Sequence, residues 1–192
     1  MAGAYERLVK VVRILFGLDM VVNGVNWWFK LVTPYPSISD FADRPPPPDF
    51  VGAMIATGVI FHVVKGTELI AGVLLLANRF VPLSLIAALP ISINVFLVDW
   101  FLAQRLRAEV MGTGALLMNA SLVMAYLEYY SPLLQSKSSV DGPVSRPTIG
   151  FAENAFTRLV VQCRPVVLGL AALNGFVMIV WVAVMIAERQ MQ

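Results

Sequence analysis

The chain has 192 residues, of which 58% are hydrophobic and only 14% charged, with a net charge of +2 and a mean hydropathy of +0.76. Soluble domains average about 25% charged residues, so this chain lacks the charge to cover a water-facing surface, and most of its surface is expected to face lipid. A lone cysteine, Cys163, and a lone histidine, His62, exclude an internal disulfide, c-type haem attachment, bis-histidine haem and a histidine-rich metal site, and the scattered basic residues leave no footprint for nucleic acid.

A membrane-crossing helix needs about 20 mostly apolar residues to span a ~30 Å hydrocarbon core. The first such stretch runs from about Val11 to Leu31 and carries Arg13, Asp19, Asn23 and Asn26. Its approach, MAGAYERLVKVVRILFGLDMVVNG, has the basic lead and apolar run of a signal peptide. Asp19 interrupts that run and no A-x-A-like site follows, so an uncleaved span is expected. Trp27 and Trp28, just ahead of Phe29 and Lys30, read as interfacial anchors. The connector TPYPSISDFADRPPPPDF follows, and Pro45 to Pro48 favour extended polyproline II, as a rigid surface link rather than a recognition motif.

The second stretch, from about Val51 to Asn78, carries His62, Lys65 and Glu68. A turn at Asn78, Arg79 and Phe80 is so short that the spans it joins must be antiparallel neighbours. The third runs from Val81 to Leu102, with Pro82 suited to a first turn, Pro90 to a kink, and Asn94 one turn further on. The fourth runs from about Gly112 to Tyr130, holds Asn119, and ends in Tyr126, Tyr129 and Tyr130, a second aromatic belt. Asp99 and Glu128, near span ends, are expected to be solvated.

The segment from Ser131 to Gln162 is polar, and SKSSVDGPVSRPTIG within it reads as loop. Ala152, Phe156, Leu159, Val160 and Cys163 then recur at helical spacing, predicting an amphipathic helix on the membrane surface. The fifth span, Pro165 to Ile186, has Asn174 as its strongly polar residue. Pairs of small residues four apart, Gly52 with Ala56 and Ala171 with Gly175, permit close helix approach. The fold expected is all-α and polytopic: a four-helix transmembrane bundle over residues 1–131, then a polar loop, surface helix and fifth transmembrane helix over 132–192. Seven basic residues on the side of the N-terminus against five on the other favour a cytoplasmic N-terminus.

Charges at bilayer depth cost about 2.5–3.5 kcal/mol each on insertion scales, so they face the bundle interior and find partners. Asp19, Asn23 and Asn26 form a stripe on one helix face, and Lys65 can reach Glu68 one turn along its own helix. The economical packing gathers Asp19, Asn23, Asn26, His62, Lys65, Glu68, Asn94 and Asn119 at one centre. Such a cluster either ties helices together or forms a proton-handling or head-group pocket for a quinone or lipid. His62 itself is expected to be a hydrogen-bonded interior residue.

The order of residues in RILFGLDMVVNG, in KGTELIAGVLLLANRFVPLSLIAALPISINVF and in GALLMNASLVMAYLEYY, with Glu68, Gly72, Pro82 and Pro90 in place, resembles the DoxX-like family of small four-helix membrane proteins. The resemblance covers about Arg13 to Tyr130 and leaves the C-terminal part as an extension. It implies a bacterial inner-membrane location and a place among proteins of several activities. Some relatives are subunits of a thiosulfate–quinone oxidoreductase, others associate with redox or stress-response complexes, and distant eukaryotic relatives assist membrane-protein assembly. The first functional expectation is an accessory subunit of a larger membrane complex, docking on other membrane subunits through its C-terminal extension. The alternative is a quinone-linked oxidoreductase subunit with its pocket at Asp19, Lys65 and Glu68; a small transporter is a third. No cofactor or metal is expected to be held by the chain on its own, with a quinone or lipid as the candidate ligand.

Overall fold

Long apolar runs with few breakers fold as helices, and among the described residues no strand occurs. The computed structural model describes residues 2–31, 49–103, 106–134 and 155–190. The tetraproline connector, the polar loop and Ala152 lie outside them. The helices are α1 (Ala2–Phe29), α2 (Asp49–Ala56), α3 (Ile60–Leu76), α4 (Val81–Val98), α5 (Leu106–Ala125) and α6 (Ala155–Gln190). Three helical segments, Val81–Leu102, Leu106–Ala125 and Gln162–Val184, are long and apolar enough to cross a membrane. These mark a membrane protein. The charges in α1, and the 17 residues of α3, ~26 Å of helix, keep those two helices out of that set.

Side-chain contacts fix the direction of every long helix. Gly17 meets Gly72 and Leu76 while Gly24 meets Leu69, so α1 and α3 run antiparallel. The turn after α3 reverses the chain into α4. Ser92 meets Asn119 and the Tyr130 hydroxyl donates to the Pro82 carbonyl at 2.8 Å, so α4 and α5 are antiparallel. Gly114 meets Asn174 and Met178 while Gly175 meets Met118, which sets α6 against α5. Gly175 also meets Leu15, and α6 packs on α1 as well as on α5. The five long helices therefore close into a ring in the order α1, α3, α4, α5, α6. One core fills it: Val12, Phe16 and Met20; Ala71 and Leu75; Leu85 and Ala88; Met118 and Leu122; and Leu168, Ala171 and Met178. The C-terminal helix thus shares the core of the preceding ones. Outward, Ile70, Val73, Leu83, Ile86, Leu173 and Phe176 are exposed, an apolar surface of the kind that hydrocarbon covers.

The turn between α3 and α4 is as short as its sequence predicts. Asn78 takes a left-handed φ of 55°, the Asn78 N–H reaches the Leu75 carbonyl and the Arg79 N–H the Leu74 carbonyl, which is a Schellman closure with asparagine in the usual glycine place. Phe80, with φ of 49°, holds a conformation rare for a bulky residue.

Four expectations need correction. The second stretch is two helices rather than one. Gly58 takes a φ of 70°, and Thr57 Oγ1 donates to the Met54 carbonyl at 2.6 Å while accepting from the Ile60 N–H at 3.2 Å. Glycine makes this break at little cost, and the hydroxyl covers a freed backbone group at each side. The fourth helix is displaced toward its N-terminus: α5 begins at Leu106, and Leu127–Leu134 forms a 3₁₀ helix in which Tyr130 is buried rather than interfacial. A surface helix separate from the fifth span is not formed, because α6 runs unbroken through Pro165 for 36 residues. Proline removes one N–H but leaves its own φ helical, so it does not oblige a stop. Asp99 is not a solvated end residue. A π-helical turn, Asp99–Ala103, continues α4 and presses the half-buried Asp99 side chain toward Gly112, while Trp100 Nε1 donates to Thr113 Oγ1 at 2.8 Å.

Candidate functional site: a buried ion pair and an amide clasp

A close crossing of α1 and α3 positions the charges. A Cβ added to Gly72 would lie 2.8 Å from the Gly17 carbonyl and the Val21 nitrogen, and one added to Gly24 would lie 2.9 Å from the Leu69 nitrogen. Only glycine permits that approach. The crossing sets Lys65 and Glu68 against the polar stripe of α1. The Lys65 ammonium donates to Glu68 Oε2 at 2.7 Å, with the two residues 4% and 2% exposed, and lies 5.4 Å from the Phe61 ring centre. Both charges are almost wholly buried, so their attraction is strong, and the hydration each has lost is comparably costly.

Two further carboxylates lie within electrostatic reach of Lys65. Asp19 is half-buried on α1, accepts from Asn23 Nδ2 at 2.9 Å, and lies within electrostatic reach of both Lys65 and Glu68. Asn23 also donates to the Asp19 carbonyl, so the two residues close a local loop one turn long. Asp99 comes from the end of α4 and feels both Lys65 and Arg107.

Of the other residues expected at this centre, His62 and Asn94 are elsewhere. His62 is exposed beside the end of α1, with its ring edge-on to Trp27 at 5.4 Å and 6.4 Å from Trp28, and is not an interior residue. Steps of three residues drift by about 60° around a helix, so His62 and Glu68 cannot share one narrow face. Trp27 also packs on Phe61 at 4.5 Å, whereas Trp28 is exposed. Asn94 is exposed, and its amide turns back along α4 to the Pro90 carbonyl at 2.9 Å.

The interior amide is Asn119 instead. Oriented by its hydrogen bonds, it donates to the Leu85 carbonyl at 3.2 Å and accepts from the Leu89 N–H and the Ser92 hydroxyl, both at 3.1 Å. Leu85 and Leu89 are the turn leading into Pro90, where a ring in place of an N–H loosens the helix ladder. Asn119 from α5 thus clasps the weak point of α4, and both Asn119 and Ser92 are fully buried.

No group of three or more histidine, cysteine, aspartate or glutamate side chains among the described residues has the placement to hold a metal ion. Cys163 is exposed at the start of the apolar part of α6. Compared with protein-family models, curated proteins and solved structures, the chain matches none. The structure carries Asp19 and Asn23 on α1 and Lys65 and Glu68 on α3, while Ser92 and the paired glycines were not among the residues the sequence singled out, and Asp99 was expected to be solvated. Gly17 and Gly24 are two turns apart on one face of a span, a pattern of small residues that the sequence offered.

Proposed function

We propose that the chain is a non-catalytic accessory subunit of a larger membrane complex, a DoxX-like protein crossing the bacterial inner membrane five times. The observation that carries this reading is the closed Lys65–Glu68 pair, two opposite charges that meet at 2.7 Å inside the chain. In this reading α1 and α3 are spans too, because they complete one ring with the three apolar helices and turn their charges inward. Docking falls to the outer face of the C-terminal helix, where Leu173, Phe176, Val177 and Val180 are exposed. Gentle detergent extraction followed by native mass spectrometry tests it: other subunits in fixed ratio are expected, and an isolated chain carrying one quinone would overturn it.

A second reading is favoured by Asp19, which brings a second carboxylate within electrostatic reach of the one lysine that already pairs with Glu68. A quinone-linked subunit would use such a surplus to deliver protons to the reduced head group. The double change Lys65→Met with Glu68→Leu separates the readings. An apolar pair of similar volume preserves assembly and function where the ion pair is structural, and abolishes electron transfer in an assembled complex where it handles protons.

A further inference from the structure

At the opposite end of the bundle from Trp27 and His62, a cavity of about 500 Å³ opens between the first turns of α1, the α3–α4 turn and the end of α5. Its walls carry Lys10, Arg13, Tyr5, Asn78, Tyr126 and Tyr129, with Glu6 as the carboxylate among them. Arg13 is only 8% exposed, yet its Nε is buried with no hydrogen-bond partner, and the Tyr5 hydroxyl in the same wall is buried and unpartnered as well. A buried guanidinium N–H or phenol without an acceptor is expensive and rare in a folded chain. Both belong to residues that line one cavity, and an acceptor-rich group seated deep in it would relieve them.

The chemistry of that group follows from the wall. Arginine offers a planar fork of donors, lysine a point charge, and the tyrosines and asparagine further donors, while the Glu6 charge reduces two cations to a net of one. A singly charged, multi-oxygen acceptor matches this count. The rim is aromatic, and Tyr129 is 69% exposed, as in side chains that sit at a lipid–water boundary. We propose that this cavity binds a phosphate-bearing anion, with Arg13 and Tyr5 as its inner donors and Lys10 at its mouth. A phosphodiester head group of a surrounding phospholipid and a soluble phosphate present the same oxygens. Basic pockets between spanning helices at the head-group level take the former.

The test uses the full-length chain in neutral detergent, delipidated, with its unfolding temperature followed against added dioleoylphosphatidylglycerol, dioleoylglycerol or inorganic phosphate. Stabilisation by the phospholipid, but not by its phosphate-free counterpart, is expected, and inorganic phosphate acting alone at millimolar concentration would assign the site to a soluble ligand. Arg13→Gln should weaken the apparent affinity roughly tenfold, and Tyr5→Phe, which removes one oxygen and keeps the ring, a few-fold. Exposed Arg7 serves as the control, and Arg7→Gln should leave the response intact. Equal stabilisation by dioleoylglycerol, no response to either phosphate source, or an undiminished response in Tyr5→Phe would each overturn the proposal, the last even where Arg13→Gln does not fold.

Discussion

The α1–α3 and α4–α5 contacts join apolar helices by different means. The first uses glycine-on-backbone approach and surrounds a buried ion pair. The second uses an uncharged amide wedged against a proline-loosened turn, with the Tyr130 hydroxyl at the far end. In hydrocarbon, apolar surface alone gives little association, and packing together with polar contacts supplies it. A charged contact fails badly when half of it is removed, whereas an amide contact fails mildly, because a neutral orphan is cheaper to bury than a charge. The comparison therefore ranks the two contacts by how they break.

Removing one charge gives the largest effect expected. Lys65→Met leaves the Glu68 carboxylate buried without its cation and should destabilise the chain by roughly 3–5 kcal/mol, read as the shift in a denaturant titration in mixed micelles. Recovery of most of that loss on adding Glu68→Leu would show that the pair specifies the contact more than it stabilises it. If the double variant is as unstable as the single one, the ion pair is itself a main source of stability.

Next come the glycines. Gly72→Val drives a branched side chain into the α1 backbone, and about 1–3 kcal/mol of destabilisation is expected, together with loss of the Trp27–Phe61 contact as a change in tryptophan fluorescence. An unchanged spectrum would mean that the crossing is looser than the structure has it. For the second contact, Asn119→Leu removes three hydrogen bonds and leaves Leu85 and Ser92 to local partners. Polar contacts between spans are worth about 0.6–2 kcal/mol, and a loss within that range is expected from the same titration. A loss as large as that of Lys65→Met would erase the distinction between the two contacts. The smallest effect belongs to His62→Gln, whose exposed ring lies beside Trp27 and Trp28, and a change within about 0.5 kcal/mol is expected.

The polar stripe of α1 and the Lys65–Glu68 pair were legible because helical spacing fixes which residues of one helix share a face, and because charges in apolar text have few places to go. His62 shows where that reasoning ran out. Steps of three residues drift around the helix, and whether a residue at the edge of the face turns inward depends on the neighbouring helix. Asp99 depended on a π-helical turn, and Asn119 on which turn of α4 its own helix crosses.

Composition and apolar run length by themselves determined that the chain is helical and membrane-embedded, since a backbone in hydrocarbon must satisfy its own hydrogen bonds within each segment. They also fixed the tight turn at Asn78, a matter of four consecutive residues. Tertiary structure alone decided that α6 continues through Pro165 and closes the ring between α5 and α1, that Asp99 packs toward Gly112, and that Arg13 and Tyr5 line one cavity. Each of these depends on how one helix lies against another, and side-chain periodicity within a helix carries no record of its neighbour's register.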